Sequence, residues 1–298
     1  MNAPRLSVLV PFYRDDARIL LRSLDQQDVD ADAVEILVMD DGSGDAALTA
    51  DTQAAIDAMR LPATLITAPE NRGRSATRNA LQARATADWV LFLDADMRID
   101  HTDFLQRYLE RVESGAVDIV FGGFAVEAIA ADPDVELHRA LSDVSDCLPA
   151  GERTRAGAQF VASSNLCVRR SVLDAEGFDP AFSGWGWEDS EWAARVSARF
   201  RLEHIDNPAV HLGLETTDTL LSRFATSGAN YRRFTEAHPE LARGLPLHRI
   251  VKALARVPGH SLSRWPLRAV VRANGVPTRL RVLALKLWRA SHYAEAMR

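Results

Sequence analysis

Four short apolar runs, each closed by a polar cluster, divide the first hundred residues of this 298-residue chain: Leu6–Val10, Val34–Met39, Ala63–Thr67 and Trp89–Leu93. A strand that is apolar at nearly every position is buried on both faces, as in a parallel sheet covered by helices. Helical patterns separate the runs. One carries Ile19, Leu20, Leu21 and Leu24 on a single side, a second fits residues 45–60, and a third extends to about Ala85. Strands alternating with helices predict an α/β fold with a mainly parallel sheet and helices on both faces. Ligands of such sheets lie beyond the carboxyl ends of the strands.

The polar clusters stand at those ends. Asp40-Asp-Gly-Ser43 follows the second run, where carboxylates can accept hydrogen bonds from a nucleobase or ribose and Gly42 lets a ligand approach. The same residues also suit an ordinary strand-to-helix turn. Asp94-Ala-Asp96 ends the fourth run, and two carboxylates so spaced can hold Mg²⁺ or Mn²⁺. Position carries that reading, because Asp28-Val-Asp30, Asp30-Ala-Asp32 and Asp132-Pro-Asp134 repeat the spacing elsewhere. The first turn reads Pro11-Phe-Tyr-Arg-Asp15 and lacks the glycine fingerprint of dinucleotide-binding dehydrogenases.

Further along, Phe182-Ser-Gly-Trp-Gly-Trp-Glu-Asp-Ser-Glu191 leads into an amphipathic helix ending near Phe200. Trp185 and Trp187 offer flat apolar faces of the kind that stack on sugar rings. Glu188 and Asp189 fall in the first helical turn, where the helix dipole favours ionised carboxylates able to accept a proton. An acidic helix start with two core tryptophans reads equally well from these residues alone. His211 offers a neutral imidazole that could complete a cation site. Residues 118–122, 159–162 and 201–205 are predicted as further strands. The polar stretch around 142–151 reads as a mobile connection, and one helix is predicted over 216–237.

Together these elements resemble a nucleotide-sugar glycosyltransferase of the GT-A fold, a Rossmann-like architecture, in the large inverting family 2. The matching elements are Ser7-Val-Leu-Val-Pro-Phe-Tyr13, Asp40-Asp-Gly-Ser43, Asn71 with Arg78-Asn79, Asp94-Ala-Asp96 and Trp185-Gly-Trp-Glu-Asp189. The last is similar to the Trp-Gly-x-Glu-Asp signature of galactosyltransferases and chondroitin-polymerase-like enzymes, although Trp187 is bulkier than the galactosyltransferase glycine. The resemblance spans about residues 5–215. It implies a metal-dependent enzyme moving a sugar from a UDP-sugar to a hydroxyl of a saccharide or lipid-linked acceptor. By the same resemblance Pro11, Tyr13 and Asp41 line the uridine pocket, and Arg78 braces the diphosphate or the aspartate motif. Asp96 becomes the main ligand of Mn²⁺ or Mg²⁺, Asp94 faces ribose and metal, and His211 is the third protein ligand. Asp189 becomes the catalytic base, Glu188 holds the acceptor, and Trp185 packs on donor or acceptor. Two other classes stay open: a nucleotidyltransferase, although residues 11–18 contain no glycine for a phosphate loop, and a non-catalytic nucleotide-sugar-binding protein.

Composition restricts the setting. Two cysteines, Cys147 and Cys167, are too few for a disulfide framework. The N-terminal apolar run is too short for a signal peptide, and no eighteen-residue apolar stretch occurs. A reduced, cytoplasmic setting with no nucleic-acid partner is expected. Charge is uneven: from Arg243 onward twelve Lys/Arg face one acidic residue, Glu295, whereas the preceding 242 residues hold 23 Lys/Arg against 40 Asp/Glu. The division expected is therefore a GT-A domain over 1–242 and a basic helical extension over 243–298. Short amphipathic helices are predicted over 246–257, 261–274 and 278–293, with Leu247, Ile250, Val251, Leu254, Trp265, Leu267, Val270, Val271, Leu283, Leu285, Leu287 and Trp288 on the apolar faces. Such helices suit an anionic membrane surface, or pack on the acidic body or on a second copy in a homodimer.

Overall fold

The structure is a computed structural model that describes residues 3–127, 132–157 and 160–298. The four apolar runs form β1 (Leu6–Phe12), β2 (Val34–Asp40), β3 (Ala63–Thr67) and β4 (Trp89–Leu93), parallel in the order β3-β2-β1-β4. Between them run α1 (Arg18–Asp25), α2 (Ala46–Asp57) and α3 (Arg74–Gln82). Val8, Val10, Ile36, Val38 and Leu91 bury against α1 on one face, and Leu9, Met39, Val90 and Phe92 bury on the other.

Next come β5 (Met97–Arg98), α4 (Phe104–Glu113), β6 (Ile119–Phe121), β7 (Phe124–Val126), α5 (Glu136–Ser145), α6 (Ala150–Ala156), β8 (Asn165–Arg169), α7 (Arg170–Ala175), α8 (Glu188–Ser197), β9 (Leu202–His204) and β10 (Ala209–His211). β8 joins the main sheet antiparallel between β4 and β6, and β9 closes the edge parallel to β6. β5, β10 and β7 make a small second sheet. In it His211 pairs with Met97, which carries the histidine to the Asp94–Asp96 turn across more than a hundred residues. The mainly parallel, two-sided sheet is therefore present.

Three local readings change. The polar stretch after Glu136 is helical, because Leu137 and Leu141 bury against Leu220 and Phe224. No strand forms over 160–162. Gln159 lies outside the described residues, and the strand begins instead at Asn165. The helix over 216–237 is two helices, α9 (Thr217–Thr226) and α10 (Gly228–Ala237), broken at Ser227. Gly228 passes so close to α14 (Thr278–Ala296) that a Cβ there would lie 2.9 Å from Ala296.

The remaining helices are α11 (Pro239–Gly244), α12 (Pro246–Ala255) and α13 (Arg264–Arg272), with α14 last. α14 packs against α5, α9 and α13 in one apolar cluster and against α10 and α12 in another. Its Ala284, Leu285, Ala290, Tyr293 and Ala294 are buried. Among the described residues no helix is long and apolar enough to cross a membrane.

Candidate active site

The carboxyl ends of β1, β2 and β4 and the start of α3 enclose a cleft of ≈ 360 Å³. Pro11, Tyr13, Asp41, Arg78, Asp94 and Asp96 all line it. Asp40 does not. Its carboxylate accepts from Ser43 N at 2.8 Å and Thr49 Oγ1 at 3.1 Å, tying the turn to α2. Asp41 accepts from the backbone N–H groups of Arg72 and Gly73 and so holds the loop that leads into α3. Gly42 serves a different purpose from ligand access: at φ +72° a Cβ would lie 2.3 Å from the Glu70 carbonyl carbon, so only glycine lets those loops touch.

Arg78 is buried. Its Nη2 donates to Asp94 Oδ1 at 2.9 Å and its guanidinium sits 5.8 Å from the Phe178 ring centre. Nε and Nη1 have no partner, which leaves two buried donors that suit an anion.

Asp96 Oδ2 lies 3.1 Å from His211 Nε2, and its buried Oδ1 has no partner. A Cβ on Gly213 would come within 2.2 Å of that Oδ2, so glycine is required where the chain passes the carboxylate. Burial disfavours charge on both groups. Their mutual hydrogen bond and the attraction of the surrounding opposite charges together outweigh it, holding Asp96 below its ordinary range and His211 above its own. Among the described residues no three His, Cys, Asp or Glu side chains converge as a metal-holding group, and Asp94 is engaged by Arg78. Asp96 and His211 supply one carboxylate oxygen and one imidazole nitrogen. That donor set fits Mn²⁺ or Mg²⁺, which commonly fill the rest of their sphere with phosphate and water oxygens.

A second cleft of ≈ 400 Å³ adjoins the first and is lined by Trp185, Trp187, Glu188 and Asp189. Arg74 lines both clefts. Asp189 Oδ2 accepts from Ser163 N at 3.0 Å, while its buried Oδ1 has no partner. Glu188 pairs with Arg74 at 3.5 Å, and its Oε2 is likewise unpartnered. The helix start does not keep Glu188 in its ordinary range. Burial first and then the neighbouring Asp189 raise its carboxyl pKa, with Arg74 pulling back only in part.

Two anchors fix this segment. Trp192, fully buried one turn into α8, stacks on Phe178 at 5.0 Å and donates to Glu176 O at 2.8 Å. Trp187 adopts φ +77°, rare for a side chain this large. It packs on Tyr231, Phe234 and Tyr293, and its Nε1 donates to Tyr293 Oη at 3.1 Å, so α14 rather than a ligand holds that ring. Trp185 packs edge-on to Phe224 beneath Arg223.

Three cleft residues escape sequence reasoning: Asp15, Arg74 and Arg223. Burial, with Asp96 and Asp94 close by, raises the Asp15 carboxyl above its ordinary range. The Arg74 side chain is 43% exposed, and the carboxylates of Asp94, Glu188, Asp189 and Asp96 around it favour its charged form. Asp15 and Arg74 stand in runs that already supply other cleft residues, which was the available signal. Arg223 reads as a solvated helix position and gives none.

The model of the family described as glycosyl transferase family 2 matches residues 7–175, more than half of the chain. An uncharacterized glycosyltransferase of Haemophilus influenzae is 26% identical over 125 residues, 42% of this chain. The chain spans about half the length of that curated relative (49%). Among solved structures, mannosyltransferase PcManGT from Pyrobaculum calidifontis, in complex with GDP-Man and Mn²⁺, superposes with a TM-score of 0.64 at 18% identity, covering 97% of this chain and 86% of its own. S. aureus TarS 1–349 in complex with UDP-GlcNAc gives 0.55 at 16% identity, covering 98% and 90%. At these identities the neighbours speak for the fold, which is of the GT-A type.

Proposed function

The chain belongs to glycosyl transferase family 2, and from that premise we propose that it transfers a sugar from a nucleoside diphosphate donor, a UDP-sugar, to a hydroxyl of a saccharide or lipid-linked acceptor with inversion at the anomeric carbon. One observation carries the reading: a strand-end cleft containing buried, unpartnered Arg78 donors meets, at Arg74, a second cleft where Asp189 keeps a carboxylate oxygen free of any hydrogen bond. Neighbours of this fold in complex with GDP-Man and with UDP-GlcNAc support a nucleotide-sugar donor.

In this reading Pro11, Tyr13 and Asp41 receive the nucleoside, and Arg78 and Arg74 face the diphosphate oxygens. The acceptor hydroxyl enters the second cleft against Trp185 and Glu188. Its proton passes to Asp189 Oδ1 as its oxygen bonds the anomeric carbon from the side opposite the diphosphate. The carbon–oxygen bond to the β-phosphate breaks, and the nucleoside diphosphate leaves with the electron pair. One base on one face inverts the configuration, by the geometry of the inverting glycosidases. Asp96 and His211, with Asp94 beside them, would hold Mn²⁺ or Mg²⁺, which when bound would supply charge compensation for the departing diphosphate. The catalytic domain in this reading covers residues 1–242, and 243–298 form a helical extension that supports the second cleft through Tyr293.

A thermal-shift screen of UDP and GDP, each with and without Mn²⁺, tests the donor cleft. Ligand at a hundredfold over its dissociation constant adds about 2.7 kcal/mol, or several degrees for a chain of this size. The expected result is a Mn²⁺-dependent rise with UDP. No shift with any nucleotide overturns the assignment.

A further inference from the structure

The basic helices divide their residues in a way their sequence pattern does not show. Val271 and Leu285, on the apolar faces expected to meet lipid, are buried in the protein interior, and Leu254 and Trp288 pack half-buried against it. Part of the charge is neutralised as well: Arg264, Arg272 and Arg281 pair with Glu295, Asp218 and Glu136. Ile250, Leu280 and Leu283 are also exposed, but the two largest apolar exposures of the extension fall together. The turn joining α12 to α13 exposes Val257 (50%), Leu262 (80%) and Trp265 (88%) within nine residues. Lys252 on α12, Arg256 just past its end and Arg268 on α13 are exposed and, among the described residues, have no ion pair. The hairpin is nonetheless rigidly mounted, since Val251 and Val271 are fully buried and Arg298 Nη2 donates to Val257 O at 3.0 Å.

We propose that this hairpin tip is an attachment surface for an anionic lipid bilayer, with Trp265 and Leu262 entering the headgroup layer and Lys252, Arg256 and Arg268 facing lipid phosphates. Tryptophan and leucine gain from leaving water, and tryptophan favours the interfacial layer. The cations gain from a negative surface spread over many headgroups, at roughly fivefold in binding per residue. A protein partner fits less well. A folded partner would need a carboxylate opposite each of the three unpaired cations, whereas an anionic bilayer meets Lys252, Arg256 and Arg268 wherever they fall. The surface is independent of the donor assignment. It adds that the acceptor is met at a membrane, and it can fail while sugar transfer stands.

The test is co-sedimentation of the full chain with phosphatidylcholine vesicles, pure or with about a third phosphatidylglycerol. Sedimentation velocity of the free protein and a thermal scan of each variant accompany it. The expected result is binding to the anionic vesicles only, weakened by 0.5 M salt. Trp265→Glu with Leu262→Glu should abolish it, and Arg256→Ala with Arg268→Ala should weaken it at least tenfold, all with unchanged Tm. Failure of the wild-type chain to bind anionic vesicles overturns the proposal, as does undiminished binding by the Trp265→Glu, Leu262→Glu variant. Self-association of the wild type that this variant abolishes, without vesicle binding, would assign the tip to a second copy instead and equally overturn it.

Discussion

Replacing Tyr293 by Phe asks whether the last helix sets the geometry of the segment proposed to carry the base, Trp185–Asp189. The Tyr293 hydroxyl lies 3.1 Å from Trp187 Nε1 and 2.8 Å from Ser227 Oγ, while its ring stacks on Tyr231 at 4.5 Å. Phe keeps the stacking and deletes only the two hydrogen bonds. A buried donor left unpaired costs about 1–3 kcal/mol. The left-handed backbone of Trp187, at φ +77°, costs about 1–2 kcal/mol for a non-glycine residue, so the lost bond is comparable with the strain it offsets. The expected outcome is a loss of about 1–2 kcal/mol, at roughly 2–4 °C per kcal/mol for a chain of this size. With the segment less firmly held, kcat should fall by up to about tenfold, equivalent to 1.4 kcal/mol. Donor KM should not change, because Tyr293 lines the second cleft and not the first. Thermal scans and initial rates at varied donor read both effects. Wild-type Tm and kcat in Tyr293→Phe would refute the reasoning, and so would a rise in donor KM at constant kcat.

Trp192→Ala should cost about 3–5 kcal/mol, as truncation of a fully buried tryptophan does, and a denaturant titration with unchanged m-value would measure it. Glu188→Gln should stabilise the fold at neutral pH. The folded-state pKa of Glu188 is raised above its ordinary 4.5, so the folded state binds more protons than the unfolded state just above that value, and stability is lost as pH rises through the window. Thermal scans from pH 4 to 8 should show a flatter profile for Glu188→Gln and a higher Tm than wild type at pH 7. Asp96→Asn should remove the Mn²⁺-dependent part of a UDP thermal shift and leave the shift from UDP alone.

The sheet and its chemistry-bearing edge were legible because they depend on local pattern. An apolar run closed by Asp at residue 40 or 94 specifies a buried strand and a polar end without reference to anything distant. The helix over Glu136–Ser145 was not legible, since it is stabilised by Leu220, Phe224 and Leu285, far along the chain. The role of Trp187 stayed open for the same reason. Its sequence neighbours suit a sugar platform or a core position equally, and Tyr231, Phe234 and Tyr293, all distant in the chain, make the ring a structural anchor. Glu188 was expected to be eased by the helix dipole, but burial beside Asp189 outweighs an effect usually worth under about 1 kcal/mol. The basic tail was read correctly as amphipathic helices, yet sequence could not apportion each apolar residue between protein and solvent.

The base assignment meets its most direct test in Asp189→Asn, with turnover and donor affinity measured on the same preparation. Asparagine keeps the acceptor for Ser163 N but cannot take a proton. The expected result is a fall in transfer of about 10²–10⁴, the usual contribution of a positioned base, with UDP-sugar affinity by calorimetry within twofold of wild type. Near wild-type turnover in Asp189→Asn would contradict the proposed mechanism.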